Sequence, residues 1–508
     1  MLKQGVLPFS YECEPNESGM TALAGLPAYL ELAAVAKLTD SIERYLGVCH
    51  LKQQGWTDTQ IIMSLILLNI AGGDCVDDLR ILEEDEGLVK VVQRVGFSGH
   101  PRKERREQAR RWRKECNRAF PSASVIFRYL KNFVNKEEEK KRGMGQAFIP
   151  EPNGALSGLG RVNADLLIFA QKHSPQSQAT LNIDASIVET SKQDALFSYK
   201  GYQSYQPLSV GWSEQDLVVY SQFRDGNVPA AFQNFEALQK SLEILPQGVQ
   251  KVYLRSDTAA YQQDLLIYCA RGRNKRFGVI EFAIGADVTD AFRIAVQETD
   301  KEDWHKLMRE VDGEQRETGQ EWAEVCYVPD WAARSKNGPD YRFIATRELL
   351  RQQPFPGLEV QLPFPTYDQG QKHYKLHGIV TNRDLAGEDL IHWYRERCSQ
   401  GEEMHSIMKS DLAGGQFPSG QFGANAAWWQ IMLLAFNLNS LMKHLALPEN
   451  WGSKRLKALR FGLINQAGRV VQHSRQLFIR LNRNNPVYLI FLGIRQRLRA
   501  IQLECNTA

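Results

Sequence analysis

The chain has 508 residues, of which 43% are hydrophobic and 24% are charged, with a formal net charge of +3. This composition is typical of an ordinary soluble globular protein, and the length predicts two to four domains of about 100–200 residues each. The longest apolar runs, 61–70 and 428–436, are far shorter than the roughly 20 residues that span a bilayer, which excludes a membrane-spanning protein and predicts buried helices.

Residues 1–150 are predicted to form a mostly helical N-terminal region. Within it, the segment 55–85 has a dense apolar face, with Thr57 or Asp58 as the candidate N-cap and a pair of glycines that break the helix. Residues 121–134 again show apolar residues at helical spacing. Helices of this size with basic flanks are compatible with a helix-turn-helix-like DNA reader, although most short helix pairs bind nothing.

Two basic segments stand out on this nearly neutral chain. Residues 102–118 hold nine Lys or Arg and three Glu, and residues 450–503 hold eleven Lys or Arg and no Asp or Glu. A helix face that is merely exposed to solvent normally carries both acids and bases. The first segment has both and could be such a face, whereas the second has no acid, so this interpretation is weaker there. Together the segments favour a polyanionic partner, most simply nucleic acid.

A charged and then Gly- and Pro-rich stretch at 136–160 predicts a linker, which we assign to residues 151–178. After it the pattern changes to alternating strands and helices. Strands and helices are predicted, in order, at 180–190 (strand), 205–212 (strand), 217–224 (strand), 228–242 (helix), 249–257 (strand), 258–272 (helix) and 276–284 (strand). The succession β-β-β-α-β-α-β is expected of an RNase H-like core, a mixed α/β sheet covered by helices, which begins here over residues 179–284.

The rest of the chain is predicted to complete this mixed α/β fold. Residues 285–383 contain further strand-like runs and are predicted to be a β-rich insertion. Residues 384–448 return to helical spacing and are predicted to be the helical second part of the core. Residues 449–508 are predicted to be a basic helical C-terminal region.

The cysteines and the N-terminal sequence bear on the cellular compartment. The eight cysteines are irregularly spaced and form no CxxC pair, which argues against a zinc ribbon and a disulfide framework. The first 20 residues lack a basic-then-apolar signal pattern. We therefore expect a cytoplasmic protein.

Two carboxylates stand at strand positions where functional acids are expected. Asp184 interrupts an apolar alternation in the middle of the first strand. Asp257 ends a different strand just before a helix, where ligand clefts form in α/β sheets. A third acid would come from Glu402 or Glu403 on a later helix. Three convergent carboxylates suit two Mg²⁺ or Mn²⁺ ions, the arrangement that catalyses phosphoryl transfer.

Each of these acids also has a structural interpretation. Asp257 could simply cap a helix that begins at Thr258. Glu402 completes a capping box that begins at Ser399. A purely structural role is least favoured for Asp184, because a buried mid-strand aspartate without a partner is energetically costly. The local pattern alone leaves these roles open.

Four segments together resemble bacterial insertion-sequence transposases of the DDE class, in the branch grouped with the piggyBac superfamily. They are NIDAS (182–186), YLRSD (253–257), the segment from YRERC to NAAWW (394–429) and the N-terminal segment from GWTDTQ to EEDEG (55–87). The resemblance implies an RNase H-like fold in which Asp184, Asp257 and Glu402 are the catalytic acids and bind two Mg²⁺ or Mn²⁺ ions. The Tyr, Arg, Glu and Lys of the family's helix signature correspond to Tyr394, Arg397, Glu402 and Lys409.

The spacing of this signature departs from the family pattern at one point. Four residues separate Arg397 from Glu402 where related transposases have three, so that Gly401 stands at the strict position of the acid. A bulge near Gly401, or a helix start at Ser399, would absorb the extra residue. Glu403 is the reserve candidate for the third acid.

Helical spacing predicts a face that combines one acid with several bases. Glu402, His405 and Lys409 share this face, and Arg395 nearly joins it. Such a face suits a site that holds metal and DNA backbone oxygens, although a salt-bridged surface helix shows the same pattern. The candidate DNA-binding residues are Tyr394, Arg395, Arg397, His405 and Lys409.

The sequence and the resemblance together predict a metal-dependent DNA transposase. It would cut double-stranded DNA at terminal inverted repeats and transfer the freed 3′-hydroxyl to target DNA, as a homodimer or larger assembly on DNA and without a membrane partner. An RNase H-like nuclease that never joins DNA, and a DNA-binding regulator whose acids are structural, are the alternatives.

Overall fold

The computed structural model describes residues 19–49, 55–96, 118–333, 341–350, 362–474 and 476–507. The basic segment 102–118 lies outside the described residues, apart from Arg118. The elements that precede the large sheet are β1 (Met20–Thr21), α1 (Pro27–Val35), α2 (Leu38–Tyr45), α3 (Asp58–Ala71), α4 (Leu79–Glu84), α5 (Glu86–Gly96), α6 (Ala123–Leu130), α7 (Lys136–Glu139) and α8 (Gly154–His173).

Helix α3 begins and ends at the predicted signals. The Thr57 hydroxyl accepts a hydrogen bond from the Gln60 amide, and the Gln60 side chain accepts one from the Thr57 amide. Gly72 ends the helix with a φ of +99°, a left-handed conformation that favours glycine. Every residue from Ile61 to Ile70 is buried, so this apolar run is a core helix.

The segment 151–178 is not a linker, because most of it forms α8. Asn153 caps this helix by accepting a hydrogen bond from the Leu156 amide, and the helix packs against α2. A Cβ atom on Gly158 would lie 2.5 Å from the Tyr45 carbonyl oxygen, so this glycine permits close helix packing. The glycines that suggested a flexible linker therefore include one that the core requires.

The next elements form the RNase H-like core. They are β2 (Gln178–Ala185), β3 (Val188–Glu189), β4 (Ser204–Tyr205), β5 (Leu208–Trp212), β6 (Leu217–Gln222), α9 (Asn234–Ile244), β7 (Lys251–Ser256), α10 (Gln263–Ala270) and β8 (Glu281–Ala286). Five of the strands lie in the order β6-β5-β2-β7-β8. The neighbours β2, β7 and β8 are parallel, whereas β5 and β6 are antiparallel, which is the mixed sheet that the sequence predicts.

The insertion extends this same sheet. Its elements are α11 (Asp290–Glu298), β9 (His305–Val311), β10 (Glu314–Val325), α12 (Asp330–Ala333), β11 (Arg342–Leu349), β12 (Thr366–Gln369) and β13 (Lys372–Thr381). Strand β13 pairs with β8 in antiparallel fashion, so the core and the insertion share one sheet of ten strands among the described residues. The insertion is thereby fixed beside β8, the last strand of this part of the core.

The last elements return to helix and then form a second small sheet. They are α13 (Gly387–Ser406), α14 (Phe422–Leu441), α15 (Glu449–Gly452), α16 (Leu456–Leu459), β14 (Gly468–His473), β15 (Gln476–Leu481) and α17 (Tyr488–Thr507). Every residue of α14 except Gln430 is buried. Its Asn437 is satisfied by hydrogen bonds with Asn163 and with the backbone of Val218. This second long apolar run is thus a core helix, as predicted.

The hydropathy of the helices agrees with these positions. Within the described residues, no single helix has both the length and the apolar composition to cross a membrane. Helix α3 and the helical segment Val76–Glu84 reach that composition only as a pair, bent by 94°.

The C-terminal region is not purely helical, because β14 and β15 form a hairpin. Strand β14 also pairs with β1, which gives a three-stranded antiparallel sheet that joins the two ends of the described chain. Helix α17 packs against α1. Several tail bases serve the fold: Arg460 donates to the carbonyl of Ile70, and Arg495 pairs with Glu31.

Candidate active site

Asp184 and Asp257 lie side by side at the carboxyl ends of adjacent parallel strands. The register of β2 and β7 pairs Ile183 with Ser256, so the next residue on each chain segment is an aspartate. Neighbouring strands are about 4.8 Å apart, which brings the two carboxylates together. Asp184 stands next to the end of its strand rather than at the centre, because β2 already ends at Ala185.

The environment of Asp257 raises the pKa of its carboxyl group. Burial raises the pKa of Asp257, and the negative charge of Asp184 raises it further, while the positive charge of Arg397 lowers it. Oδ1 of Asp257 also accepts a hydrogen bond of 3.0 Å from the Ala259 amide. The capping role that the sequence allowed is therefore present, and it is compatible with a place in the site.

Glu402 is not brought to the two aspartates. Helix α13 is continuous from Gly387 to Ser406, and both Glu402 and Glu403 are exposed. Gly401 is buried and faces Asp184, since a Cβ atom on Gly401 would lie 3.7 Å from Oδ2 of that aspartate. The helix therefore has no bulge at Gly401, and Glu402 lies on its exposed side in this structure.

The helix also does not start at Ser399, as the capping-box interpretation required. The Ser399 hydroxyl donates to the Glu396 carbonyl within the helix. The helix instead widens downstream, in a π-helical turn at Ile407–Asp411. No feature of the local sequence distinguishes this position from the one near Gly401.

The wide turn at Ile407–Asp411 carries Lys409, and two sets of hydrogen bonds hold the turn in place, one to the segment after β2 and one to Arg455. The ammonium of Lys409 donates a hydrogen bond of 2.8 Å to the Ile187 carbonyl, just beyond β2. Burial lowers the pKa of Lys409, against the opposing influence of the Asp184 charge. The guanidinium of Arg455 donates to both carboxylate oxygens of Asp411 and to the Ser406 hydroxyl. Lys409 is therefore fixed near Asp184.

Arg255 sets the register of α13 over the sheet, a role that sequence reasoning missed. Its side chain is 1% exposed and donates hydrogen bonds to Asn182 on β2 and to Ser213. It also contacts α13 at the Glu396 carboxylate (2.7 Å) and the Gln400 amide oxygen (2.9 Å). The sequence signal was available, because an arginine at a buried strand position needs several acceptors.

His405 lies one helical turn after Gly401 and faces Asp184. The residue is 7% exposed, and its Nε2 lies 3.3 Å from Oδ2 of Asp184. The two atoms are close enough for an ion pair with a protonated imidazole, although neither ring nitrogen of His405 makes a hydrogen bond among the described residues. Unsatisfied buried nitrogens are costly, so this position calls for a ligand or a functional explanation.

Three of the candidate DNA-binding residues line one cavity beside the aspartates. Tyr394, Arg395 and Arg397 face a space of about 290 Å³, which β10, β11 and β13 of the insertion close on the other side. Arg397 lies 5.3 Å from the centre of the Tyr394 ring, and its charge interacts with both aspartates. Lys375 adds a further exposed base to the lining. The lining thus combines several bases with one acid, Glu348, and Arg397 links the cavity to the aspartates, which do not line it themselves.

The described residues supply two of the three carboxylates expected for a two-ion site. Within the described part of the chain, no three His, Cys, Asp or Glu side chains converge as a metal-binding group. Asp184 and Asp257 do fit a divalent ion, because a cation relieves the repulsion between adjacent carboxylates. Glu402 does not fit in the present helix register.

Comparisons with known proteins match nearly the whole chain. The family model described as "Transposase DDE domain group 1" matches residues 16–503. A cryo-EM structure of a piggyBac transposase synaptic complex with hairpin DNA is 9% identical in sequence and has a TM-score of 0.41. The superposition covers 88% of this chain and 83% of that chain. A comparison with curated protein sequences gives no match.

Proposed function

The chain belongs to the family of DDE transposase domains, group 1, and we propose that it cuts DNA at transposon ends and joins the freed 3′-hydroxyl to target DNA. The observation that carries the proposal is the pair of Asp184 and Asp257 at the ends of neighbouring parallel strands, with Arg397, which lines a cavity rich in bases, close enough for its charge to act on both. Two carboxylates and several bases at one edge of a sheet suit chemistry on a phosphodiester.

The proposed cofactor is a pair of Mg²⁺ or Mn²⁺ ions, as is general for DDE transposases. When bound, such ions activate the attacking oxygen and stabilise the leaving one. Asp184 and Asp257 would hold an ion through their carboxylate oxygens. Arg255 would support this by keeping α13 in place over both strands.

The cavity beside the aspartates is the proposed contact for the DNA backbone. Arg395 and Arg397 would bind phosphate oxygens, since guanidinium groups match phosphate geometry. Tyr394 lies under Arg397 and orients it. Lys409 adds positive charge close to Asp184. These side chains would position the scissile phosphate without reading base sequence.

The proposed partners are terminal inverted repeats and target DNA, bound as duplexes. Because both ends of the element must be processed, we propose a homodimer or larger assembly on DNA. The basic tail would contribute further phosphate contacts through its exposed bases.

Replacing Asp257 tests the proposed chemistry. Asp257→Asn keeps the size of the side chain and removes its charge, so we expect metal-dependent cleavage of transposon-end DNA to fall by at least about 100-fold while DNA binding persists. Asp264→Asn, an exposed acid in the first turn of α10, is the matched control and should cleave normally. Undiminished cleavage by Asp257→Asn would remove this residue from the site.

A precut DNA end separates a transposase from a nuclease with the same fold. The wild-type chain is given a transposon end that already carries a free 3′-hydroxyl, together with target DNA. Joined product is expected. Cleavage of intact ends without any joining of precut ends would favour the purely hydrolytic alternative.

A further inference from the structure

A β-hairpin that leaves the sheet just beyond Asp184 exposes two aromatic side chains. Its first strand, β3, begins at Val188, and its second strand is β4. Phe197 and Tyr199, near the turn of the hairpin, are 63% and 81% exposed. We propose that this aromatic tip, residues 197–200, is a stacking platform for an unpaired DNA base next to the scissile phosphate. The inference rests on the proposed function, because it concerns DNA bound at the same carboxylates.

The sequence SYKGY, which begins at Ser198, forms an ordered turn at the aromatic tip. The Gly201 amide donates a hydrogen bond of 2.9 Å to the Ser198 carbonyl, and the Ser198 amide donates one of 2.9 Å to the Tyr202 carbonyl. Gly201 has a φ of +84°, as in hairpin loops of three residues that end in a left-handed conformation. Tyr199 and Lys200 thus form the corner of the turn. A platform that is already ordered loses little conformational entropy when a ligand stacks on it.

The base of the hairpin is anchored in the core. Tyr205 on β4 is fully buried, and the centre of its ring lies 4.7 Å from that of Phe223. The Arg142 guanidinium donates to both carboxylate oxygens of Asp225 and to the Asp194 carbonyl. The exposed rings therefore belong to an ordered hairpin, whose hydrogen bonds hold them away from the core.

The hairpin lies at the edge of the active site. The ammonium of Lys409, near Asp184, donates to the Ile187 carbonyl, which immediately precedes β3. Burial lowers the pKa of Lys409, and the charge of Lys200 lowers it further, so the aromatic tip is close enough to act on this base. A DNA strand bound at the aspartates would thus pass the aromatic tip.

The combination of rings and positive charge favours DNA as the occupant over an apolar protein surface. Lys200 is exposed, and its ammonium lies 6.0 Å from the centre of the Tyr199 ring. The two acids of the hairpin, Glu189 and Asp194, lie nearer its base. An apolar partner would bury the ammonium without compensation, whereas a DNA strand offers it a phosphate and offers the rings a base.

The occupant is an unpaired base, because a base inside a duplex has both of its faces covered by its neighbours. Stacking on aromatic side chains is the general way in which proteins hold single-stranded DNA, and it tolerates any base. Cleavage at a transposon end produces strand ends whose terminal bases can leave the helix. The aromatic tip would hold such a base while the phosphate stays at the aspartates.

Binding of tailed DNA by the full-length protein tests the proposal. The probes are a fluorescent duplex with a single-stranded dT tail and the same duplex with a blunt end. Combined Phe197→Ala and Tyr199→Ala should weaken binding of the tailed duplex by about 10- to 100-fold and barely change binding of the blunt one. The salt dependence should be unchanged, since neither ring carries charge.

Matched variants separate stacking from a general loss of apolar surface. Combined Ile168→Ala and Ile294→Ala removes two other exposed apolar side chains, on α8 and α11, and should bind both probes normally. Phe197→Leu with Tyr199→Leu keeps apolar surface without aromatic rings and should bind as weakly as the double alanine variant. Phe197→Tyr with Tyr199→Trp should retain wild-type binding. The Tm of each variant checks that it is folded.

Photo-crosslinking locates the stacked base directly. A tail that contains 5-iododeoxyuridine is irradiated in the complex, which links that base to an aromatic ring in contact with it. Trypsin cuts after Lys192 and Lys200, so the aromatic tip is released within the peptide 193–200 and can be identified by mass spectrometry. Cross-links are expected on this peptide and should be absent in the double alanine variant.

Three outcomes would overturn the platform. They are unchanged binding of the tailed duplex by the double alanine variant, an equal loss for both probes, and cross-links confined to other peptides. Self-association of the wild type without DNA that the same variant abolishes would show a second copy as the occupant and would overturn it too. Failure to join precut ends, with cross-links still on the aromatic tip, would contradict the proposed function and leave the platform standing.

Discussion

A single glycine decides which side chains meet at the site. Gly401 stands where the family pattern has an acid, and it faces Asp184 from a continuous helix. Glycine is a poor helix former, so its presence in the middle of α13 has a local cost. The nearest acid in sequence, Glu402, points to solvent. Substitutions at residue 401 can therefore test whether this position faces the metal site.

Gly401→Glu should give the site a third carboxylate. Without metal, the added charge beside Asp184 and Asp257 should lower the free energy of unfolding by roughly 1–3 kcal/mol relative to an uncharged side chain. With saturating Mg²⁺, the order should reverse, because the new oxygen ligand binds the ion. The measurement is the Tm with and without Mg²⁺.

Gly401→Gln is the control for this comparison. It has nearly the same helix propensity and size as the glutamate variant but no charge. If Mg²⁺ shifts the Tm of both variants equally, then residue 401 does not face the metal site.

The carboxylate pair could be predicted from the sequence, but the outward orientation of Glu402 could not. Asp184 and Asp257 follow from strand patterning and from the rule that parallel strands place functional residues at their carboxyl ends. The orientation of Glu402 depends on where one surplus residue is accommodated. That choice is made by Arg255 and Arg455, which contact α13 from segments far away in the chain.

At the scale of elements, the strands of the core were better predicted than the helix before them. Alternating apolar residues identified β2, β5, β6 and β7 to within a few residues, because a half-buried strand has period two. Helix α8 was mistaken for a linker, since its glycines resemble those of a flexible segment. Burial of Leu159 and Val162 against neighbouring helices overrides that local signal.

Two glycines of α8 should respond oppositely to the same substitution. Gly158→Ala places a Cβ atom 2.5 Å from the Tyr45 carbonyl oxygen, so we expect a loss of about 1–3 kcal/mol in the free energy of unfolding. Gly160→Ala meets no atom within 4 Å and should gain about 0.5–1 kcal/mol from its higher helix propensity. Urea denaturation measures both, and an equal effect at both positions would contradict the close contact between α8 and α2.

At the scale of the whole molecule, the basic tail is part of the fold as well as a candidate DNA contact. Its hairpin pairs with β1, and Arg455, Arg460 and Arg495 make internal contacts. Deleting residues 450–508 would therefore damage the structure and could not isolate DNA binding. Substitution of exposed bases is the better test.

The exposed arginines Arg480, Arg483 and Arg499 are suitable for that test. Their combined change to Gln should leave the Tm nearly unchanged and weaken DNA binding uniformly across sequences. The slope of log Kd against log salt concentration should decrease by about 0.9 for each phosphate that the variant no longer neutralises. An unchanged slope would rule out these residues as DNA contacts.

The sheet formed by β1 and the C-terminal hairpin affects how the chain matures during synthesis. Met20 pairs with Arg469, so the first described strand has no partner until nearly all of the polypeptide has left the ribosome. Contacts between such distant positions form late and slowly. A prematurely terminated product would consequently expose an unpaired strand and the face of α1 that α17 covers.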